Sequence, residues 1–550
     1  MDLGVMLTQE RIDAMVGVGA WPNKTILDYL NSALAHDPDL PAITDYNGET
    51  GQSTSISYGQ LDRLSRRMGL ALINNGIKTG DVVSLQLPNW WQFNAMHLAC
   101  ARIGAITNPL MPIFRERELT YMLGFAESKV MIAPHRFRGF EYKPMMEAMR
   151  NELPHLEHIY YIDGEGKDDF ATALLEDALE NSTEADETLK DRQPGPNDIN
   201  EVIYTSGTTG QPKGVMHTAN STYGHLGSWI EHLNLKQTDK IFMASPLAHQ
   251  TGFLYAILQP IMLGAEVVLL DRWDAPMGVE LIQKHGCTFT MGATPFLSDI
   301  VEMPNVKDFD LSKLHTFASA GAPIPPALVQ KAAANFPFKV LSGWGMSECA
   351  ASTICDPHDP DEKVWTSDGA PLPHTEVRVR LHDGTEADYG EEGVLEVRGA
   401  PLFVGYLKKP ELYGTNEEGW FDTGDQAFMH ADGYIRITGR AKDIIIRGGE
   451  NIPVVEIEDV LYRHPSIAEV AVVGVPDERL GERGCAYITL QTGKDLALDE
   501  MIRYLDEKGT AKQYWPEFLE IISEMPRTPS GKIQKFKLRE MAEALALDPV

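Results

Sequence analysis

An α/β fold is what the order of segments along this chain predicts, and three observations carry the prediction. Two successive blocks alternate Val-, Ile- and Leu-rich runs with stretches of helical apolar spacing; short alternating segments with tight-turn signals follow; a compact αβ unit closes the chain. Alternation of this kind argues for parallel sheets covered by helices, and two blocks argue for two related subdomains. With 550 residues the chain is long enough for about three or four domain-sized units.

In the first block, residues 81–88 alternate and are rich in Val and Leu, and 90–105 have helical spacing. Residues 106–112 are again extended, and 130–134 form a short buried strand. The second block opens at Lys240 with a strand-like run to Leu247, a helix through Met262, a strand at 266–271, a helix to His285 and a strand at 287–293. The acidic stretch 164–198 reads as a solvated helix and connector. From Val377 to Tyr406, segments separated by Asp383-Gly384 and Glu392-Gly393 read as antiparallel hairpins. Beyond Lys442 come a helix at 454–464, strands at 469–475 and 485–491, and a helix at 498–508, with the domain boundary at Gly439 to Asp443.

Composition narrows the function classes. The chain is 43% hydrophobic and 23% charged, the profile of a folded soluble protein. A formal net charge of −31 argues against nucleic acid or an anionic membrane as main partner, since both would be repelled at long range. Five cysteines without Cys-x-x-Cys pairing indicate neither a disulfide framework nor a zinc site, and a cytoplasmic setting fits. Met1-Asp2-Leu3 opens without a basic region, so no secretory signal is expected. The longest apolar run, Ile257 to Leu270, is interrupted by Gln259, Pro260 and Glu266 and splits into a core helix and a strand, so no integral membrane segment is expected.

The richest local chemistry lies at Thr205-Ser206-Gly207-Thr208-Thr209-Gly210-Gln211-Pro212-Lys213-Gly214, which sets glycines, hydroxyls and a lysine between two apolar segments. Glycines let backbone N–H groups approach phosphate oxygens, hydroxyls add rotatable donors, and the lysine adds a mobile charge. The spacing is not that of the Walker loop. Four further segments follow: Gly343-Trp344-Gly345-Met346-Ser347-Glu348, Gly419-Trp420-Phe421-Asp422-Thr423-Gly424-Asp425, Gly439-Arg440-Ala441-Lys442-Asp443, and Pro526-Arg527-Thr528-Pro529-Ser530-Gly531-Lys532. In this order the whole chain resembles the adenylate-forming enzymes, the superfamily of acyl-CoA synthetases, luciferases and peptide-synthetase adenylation domains. It looks most like bacterial cyclohexanecarboxylate and medium-chain acyl-CoA ligases.

The resemblance implies an N-terminal AMP-binding domain over residues 1–440, with two helix-covered sheets and a small β-barrel-like part, and a mobile α+β domain over 441–550 hinged near Lys442. It implies ATP, Mg²⁺ and coenzyme A: a carboxylate attacks the α-phosphate to give an acyl-adenylate and pyrophosphate, and a thiol then displaces AMP. Two anions meet in the first step, so cations and dipoles must neutralise charge building at phosphorus. Thr205, Ser206, Gly207, Thr208, Thr209 and Lys213 would cradle phosphates, and Glu348 would hold Mg²⁺ as a hard oxygen ligand. Ser347 stands where the family usually has Thr beside the α-phosphate. Trp344, in place of the usual Tyr, would stack on adenine, with Gly345 and Met346 beside it and Gly321, Ala322 and Pro323 on the far side. Asp425 would accept both ribose hydroxyls, assisted by Arg440, and Lys532 would bridge the carboxylate and the α-phosphate.

After domain rotation, Arg447, Gly448 and Gly449 would line the CoA path. His249, Gln250, Phe253, Thr294 and Ala320 would line the acyl pocket, whose segments carry no Lys or Arg and so favour a monocarboxylic acid. His249 reads equally as a gate and as a satisfied structural histidine. The Pro526-to-Lys532 pattern resembles a site that protein lysine acetyltransferases modify. Benzoate-type or longer fatty acids, a module loading a carrier-protein thiol, and a non-catalytic acyl-AMP or nucleotide sensor are the alternatives. The presence together of Lys532, Glu348 and Asp425 weighs against the sensor.

Overall fold

The computed structural model describes residues 2–205, 212–321, 324–440, 445–447, 450–452, 454–477, 481–510, 512–528 and 532–546. The first block builds a six-stranded sheet in the order Lys213–Thr218, Ile199–Thr205, Ile106–Pro109, Val82–Leu85, Val130–Pro134, His158–Ile162. Every neighbouring pair is parallel except the first, a hairpin. Strands Val82–Leu85, Ile106–Pro109 and Val130–Pro134 are buried along their whole length, as strands covered on both faces must be. Helix Trp91–Ile103 is buried from Phe93 onward and stops at Gly104, whose φ of 68° leaves no room for a Cβ beside the Arg192 carbonyl.

The second block forms the centre of a nine-stranded sheet, in the order Ala370–Pro371, Ala350–Ile354, Lys339–Met346, Thr316–Ser319, Phe289–Gly292, Lys240–Met243, Glu266–Leu270, Pro41–Tyr46, Ser53–Ser57. Its last two strands precede the first block in sequence, and Ile43 pairs in register with Val267. The two blocks therefore do not each close a sheet alone. The strand expected from Ile241 to Leu247 ends at Met243, because the chain turns at Pro246 so tightly that a Cβ on Gly252 would lie 2.1 Å from the Pro246 carbonyl. The helix expected through Met262 contains a π turn, Leu254–Leu258, and Asn94 Nδ2 donates to the Ala256 carbonyl inside it at 3.0 Å.

The hairpins read in 377–406 belong to a four-stranded antiparallel sheet, Thr375–Arg380, Gly393–Gly399, Phe421–Met429 and Ile435–Arg440. The C-terminal unit sets strands Glu450–Ile452, Ile445–Arg447, Gly481–Leu490 and Ile467–Asp477 side by side, with Phe518–Ile521 added parallel to Gly481–Leu490. Its own core includes Ile457, Leu461, Val472, Ile488, Met501 and Leu505. It touches the larger part through Arg436 Nη2, which donates to Asp459 Oδ2 at 3.3 Å, and through the Ser298 and Tyr462 hydroxyls at 3.4 Å. All five cysteines are buried and unbridged. Among the described residues no helix is long and apolar enough to cross a membrane.

Candidate active site

Thr205 and Lys213 pair in register, the last residue of one strand opposite the first of the next. Ser206, Gly207, Thr208 and Thr209 lie outside the described residues. Lys213 Nζ sits 4.4 Å from the centroid of the Tyr406 ring, a cation–π distance. The Tyr406 hydroxyl donates to Glu348 Oε1 at 2.7 Å, and the Phe403 N–H donates to the Glu348 carbonyl at 2.7 Å. Glu348 is 4% exposed, so its carboxylate is a buried one although it stands in a turn. Burial, and next the charge of Glu348, push the Tyr406 phenol far above its ordinary range.

Glu348 sits in the turn between strands Lys339–Met346 and Ala350–Ile354, where Met346 pairs with Ala350. Gly345 is obligatory there, because a Cβ would lie 1.9 Å from the Ala350 carbonyl oxygen. Ser347 is anchored by its carbonyl, which accepts from His217 Nε2 at 2.7 Å. A carbonyl only accepts, so Nε2 carries the proton and Nδ1 can accept from the Ser221 hydroxyl at 3.1 Å. Burial pushes this imidazole down to about 4, leaving it neutral.

Asp425 is buried, and the Trp344 indole N–H donates to its Oδ2 at 2.8 Å. The side chain expected against adenine and the one expected at ribose therefore fix each other. Asp425 opposes Arg440 across the strand pair; the Arg440 side chain, Lys442, Gly448, Gly449, Ala322 and Pro323 are outside what is described. Arg447 donates through Nε and Nη2 to Glu517 Oε1 at 3.0 and 2.7 Å.

Lys532 is tied to Thr528 twice: its N–H donates to Thr528 Oγ1 at 3.0 Å and its carbonyl accepts from the Thr528 N–H at 2.7 Å. Its side chain runs against Gly321, where φ is 87° and a Cβ would stand 3.4 Å from Lys532 Cε and 3.7 Å from Nζ. The lysine also faces His249. Burial first, then the Lys532 charge, push that imidazole down to about 3. Neutral His249 caps helix Gln250–Phe253, its Nδ1 accepting from the Thr251 N–H at 3.3 Å. The two readings of His249 thus meet in one residue, a structural cap that also borders the lysine.

The remaining acyl-pocket residues divide. Thr294 opens helix Thr294–Glu302, and Ala320 follows strand Thr316–Ser319 at a half-buried position. A narrow apolar crevice of about 10 Å³, lined among others by Phe242, Trp273, Met291, Gly292 and Phe296, adjoins them. Phe253 is packed in the core, edge-on to His97 with ring centroids 4.8 Å apart. Gln250 is buried too, its amide near the Glu201 carboxyl but outside good hydrogen-bond geometry. Glu201 is fully buried, and desolvation pushes its pKa up to about 8 against a small lowering by Gln250.

Among the described residues no cluster of three or more His, Cys, Asp or Glu could hold a metal alone. The lone buried carboxylate of Glu348 fits the habit of Mg²⁺, which uses one or two carboxylates and takes its other ligands from water and substrate phosphates.

The fold and this site define the AMP-binding enzymes, the adenylate-forming superfamily. The AMP-binding enzyme family matches residues 30–407 and its C-terminal domain matches 456–532, and the chain belongs to that family. Within it the chain is an AMP-forming acyl-CoA ligase. It is 35% identical over 545 residues to the medium-chain fatty-acid–CoA ligase of Escherichia coli (strain K12), covering 98% of this chain and 94% of that one. It is 30% identical over 511 residues to a ligase of Rhodococcus jostii (strain RHA1) named for a methyl-dioxo-octahydro-indenyl propanoyl group, covering 90% and 96%. Among solved structures, ATP-bound MatB from Rhodopseudomonas palustris superposes with a TM-score of 0.84 at 26% identity, over 95% of this chain and 100% of that one.

Several residues escaped the sequence reading. Tyr406 is 58 residues from Glu348 in sequence and carries no local signal. The one local signal for His217 is its i, i+4 relation to Ser221, the third residue of helix Ala219–His232, whose N-cap is Thr218. Glu201 is the one charged residue of strand Ile199–Thr205, followed directly by Val202, Ile203 and Tyr204, and an acidic residue ahead of such a run is a visible anomaly.

Proposed function

We propose that the protein activates a medium-chain or alicyclic monocarboxylic acid, cyclohexanecarboxylate among them, by way of an acyl-adenylate, and passes the acyl group to the thiol of coenzyme A. One observation carries the reading: Lys532, from the C-terminal unit, lies against Gly321 and beside His249, on the strand ends that also present Thr294 and Ala320. A lysine there can hold the attacking carboxylate against the α-phosphate, and the neutral His249 does not compete for it. The Escherichia coli and Rhodococcus jostii relatives, with a medium-chain and a fused-ring acyl group in their names, support this choice of acid.

In this reading Thr205, Lys213 and the intervening loop bind the phosphates, Ser347 and Trp344 flank the α-phosphate and adenine, and Asp425 takes the ribose hydroxyls. Glu348 would hold Mg²⁺, which when bound supplies charge that offsets the phosphate oxygens. Asp425 accepts from the Trp344 indole N–H on one oxygen, and a carboxylate fixed in this way would orient the sugar. The domain boundary lies at residues 440–441. Rotation about Lys442 would withdraw Lys532 after adenylation and bring Arg447, Gly448 and Gly449 to the adenylate; in the present arrangement Arg447 is held by Glu517. Acetylation of Lys532 would delete the charge that the first step needs.

The test is pyrophosphate release by the purified chain with ATP, Mg²⁺ and a panel of acids, followed by thioester detection with and without CoA. Release with six- to eight-carbon acids and CoA-dependent thioester is expected. Release with no acid in the panel would overturn the reading, and transfer to a carrier domain but not to CoA would redirect it.

A further inference from the structure

The match to the AMP-binding enzyme family begins at residue 30, yet the segment ahead of it is tied to the centre of the site. Helix Gln9–Gly17 presents Arg11, whose Nη1 donates to the Phe403 carbonyl and to the Tyr413 hydroxyl, each at 3.0 Å. Its Nη2 donates to the carbonyls of Leu402 and, at 3.5 Å, Gly399. The Tyr413 hydroxyl donates to the same Phe403 carbonyl at 3.1 Å. Further along, the Trp21 indole N–H donates to the Ala400 carbonyl at 3.0 Å, and the Arg11 guanidinium lies 5.2 Å from the Trp21 ring centroid. On the near side the Met6 N–H donates to the Val404 carbonyl at 2.8 Å, and the Lys408 N–H donates to the Leu3 carbonyl at 2.8 Å.

The segment so gripped, residues 399–408, is the one that holds Glu348. Phe403 has its carbonyl fixed by Arg11 and Tyr413 while its own N–H fixes the Glu348 carbonyl. The Phe403 ring packs edge-on against Tyr406 at 4.7 Å, and the Tyr406 hydroxyl, on a ring whose centroid lies 4.4 Å from Lys213 Nζ, donates to the Glu348 carboxylate. One residue therefore stands between the Arg11 guanidinium and the Glu348 backbone, and two between it and the Glu348 side chain. A guanidinium presents five N–H donors in a rigid fork, so it can converge several carbonyls as a lysine cannot.

We propose that residues 2–21 form a strap in which Arg11 is a positioning residue for the nucleotide site, setting the Phe403–Tyr406 segment and through it Glu348. The proposal rests on the adenylation reading of that site. It predicts a loss specific to the nucleotide, since the bonds that the gripped segment makes through Phe403 and Tyr406 converge on Glu348.

The experiment uses the full chain with Arg11→Met and Arg11→Lys and two readouts at equilibrium, calorimetric affinity for ATP with Mg²⁺ and amide exchange of the 399–408 peptide by mass spectrometry, with steady-state KM values beside them. Arg11→Met should weaken ATP binding about tenfold and speed exchange in that peptide about tenfold or more, with Arg11→Lys recovering only part of either. In steady state the KM for ATP should rise while that for the acid stays within about twofold, a split that general loosening would not give. ATP affinity within about twofold of wild type, whether or not exchange speeds up, would overturn the proposal. Should Arg11→Met not fold, Tyr413→Phe, which removes one donor to the Phe403 carbonyl, is judged by the same two readouts and the same limits. A wild-type chain that binds no ATP would instead overturn the adenylation reading.

Discussion

Two regions of the molecule treat buried charge in opposite ways, the one that Glu348 and Asp425 share and the one that holds Glu201 and His249. In the first, the carboxylates of Glu348 and Asp425 each accept a hydrogen bond from an aromatic side chain, at 2.7 and 2.8 Å. In the second, Glu201 is buried with neither carboxyl oxygen in a hydrogen bond among the described residues, and both it and His249 are held neutral by desolvation. A buried charge is tolerable where donors and incoming phosphates or metal meet it, and is neutralised elsewhere. On the proposed function the division has a use: charge builds at phosphorus, while an apolar acyl chain would gain nothing from charge near it.

The largest break in this comparison should come from Lys532→Ala, which removes the cation beside Gly321 and His249. Acyl-CoA formation from acid and ATP should fall by about 10²-fold or more, the scale of a lost transition-state donor. Glu348→Gln comes next. The amide oxygen can still accept from Tyr406, so the change removes charge with little change of shape, and turnover should fall roughly tenfold or more while the Mg²⁺ requirement rises. Rates compared across a Mg²⁺ titration check it, and an unchanged rate would remove Glu348 from the phosphate site.

Glu201→Gln sharpens the comparison from the acyl side. A folded-state pKa of about 8 against an ordinary 4.5 means the folded protein holds a proton that the unfolded chain has released. Wild-type stability should therefore fall as pH rises from about 4.5 to about 8, by an amount on the order of a few kcal/mol. The glutamine variant lacks this loss, so its melting temperature should exceed that of wild type by more at pH 8 than at pH 5. Parallel melting curves across that range would mean that Glu201 is already ionised. A smaller effect is expected from the acid panel: octanoate and cyclohexanecarboxylate should exceed acetate in kcat/KM, each missing methylene costing about 1–3 kcal/mol at most. His249→Asn should change least, within about threefold, since its side-chain oxygen still caps Gln250–Phe253.

The nucleotide half was legible in sequence because its residues lie in short runs whose glycines and hydroxyls have few other uses. Gly345 and Glu348, two strands and a turn, are local. The acyl half was less legible, and Gln250 and Phe253, expected as pocket walls, are packed against Glu201 and His97 from other elements. Spacing along one helix cannot say which neighbour covers it. The parallel blocks were visible from their apolar strands, whereas the pairing of Pro41–Tyr46 with Glu266–Leu270 joins segments more than two hundred residues apart and left no local trace. Tyr406 and Arg11 escaped for the same reason.

On the proposed function, charge in this site serves the attack on phosphorus and is not needed by the acyl group as such. Measuring the two half-reactions separately on Lys532→Ala tests it most directly: acid-dependent pyrophosphate exchange into ATP for the first, and thioester formation from preformed acyl-AMP and CoA for the second. The account predicts exchange lowered by about 10²-fold or more, with thioester formation within a few-fold of wild type. Equal loss of both steps would contradict it, because Lys532 would then belong to a single arrangement that serves the whole reaction.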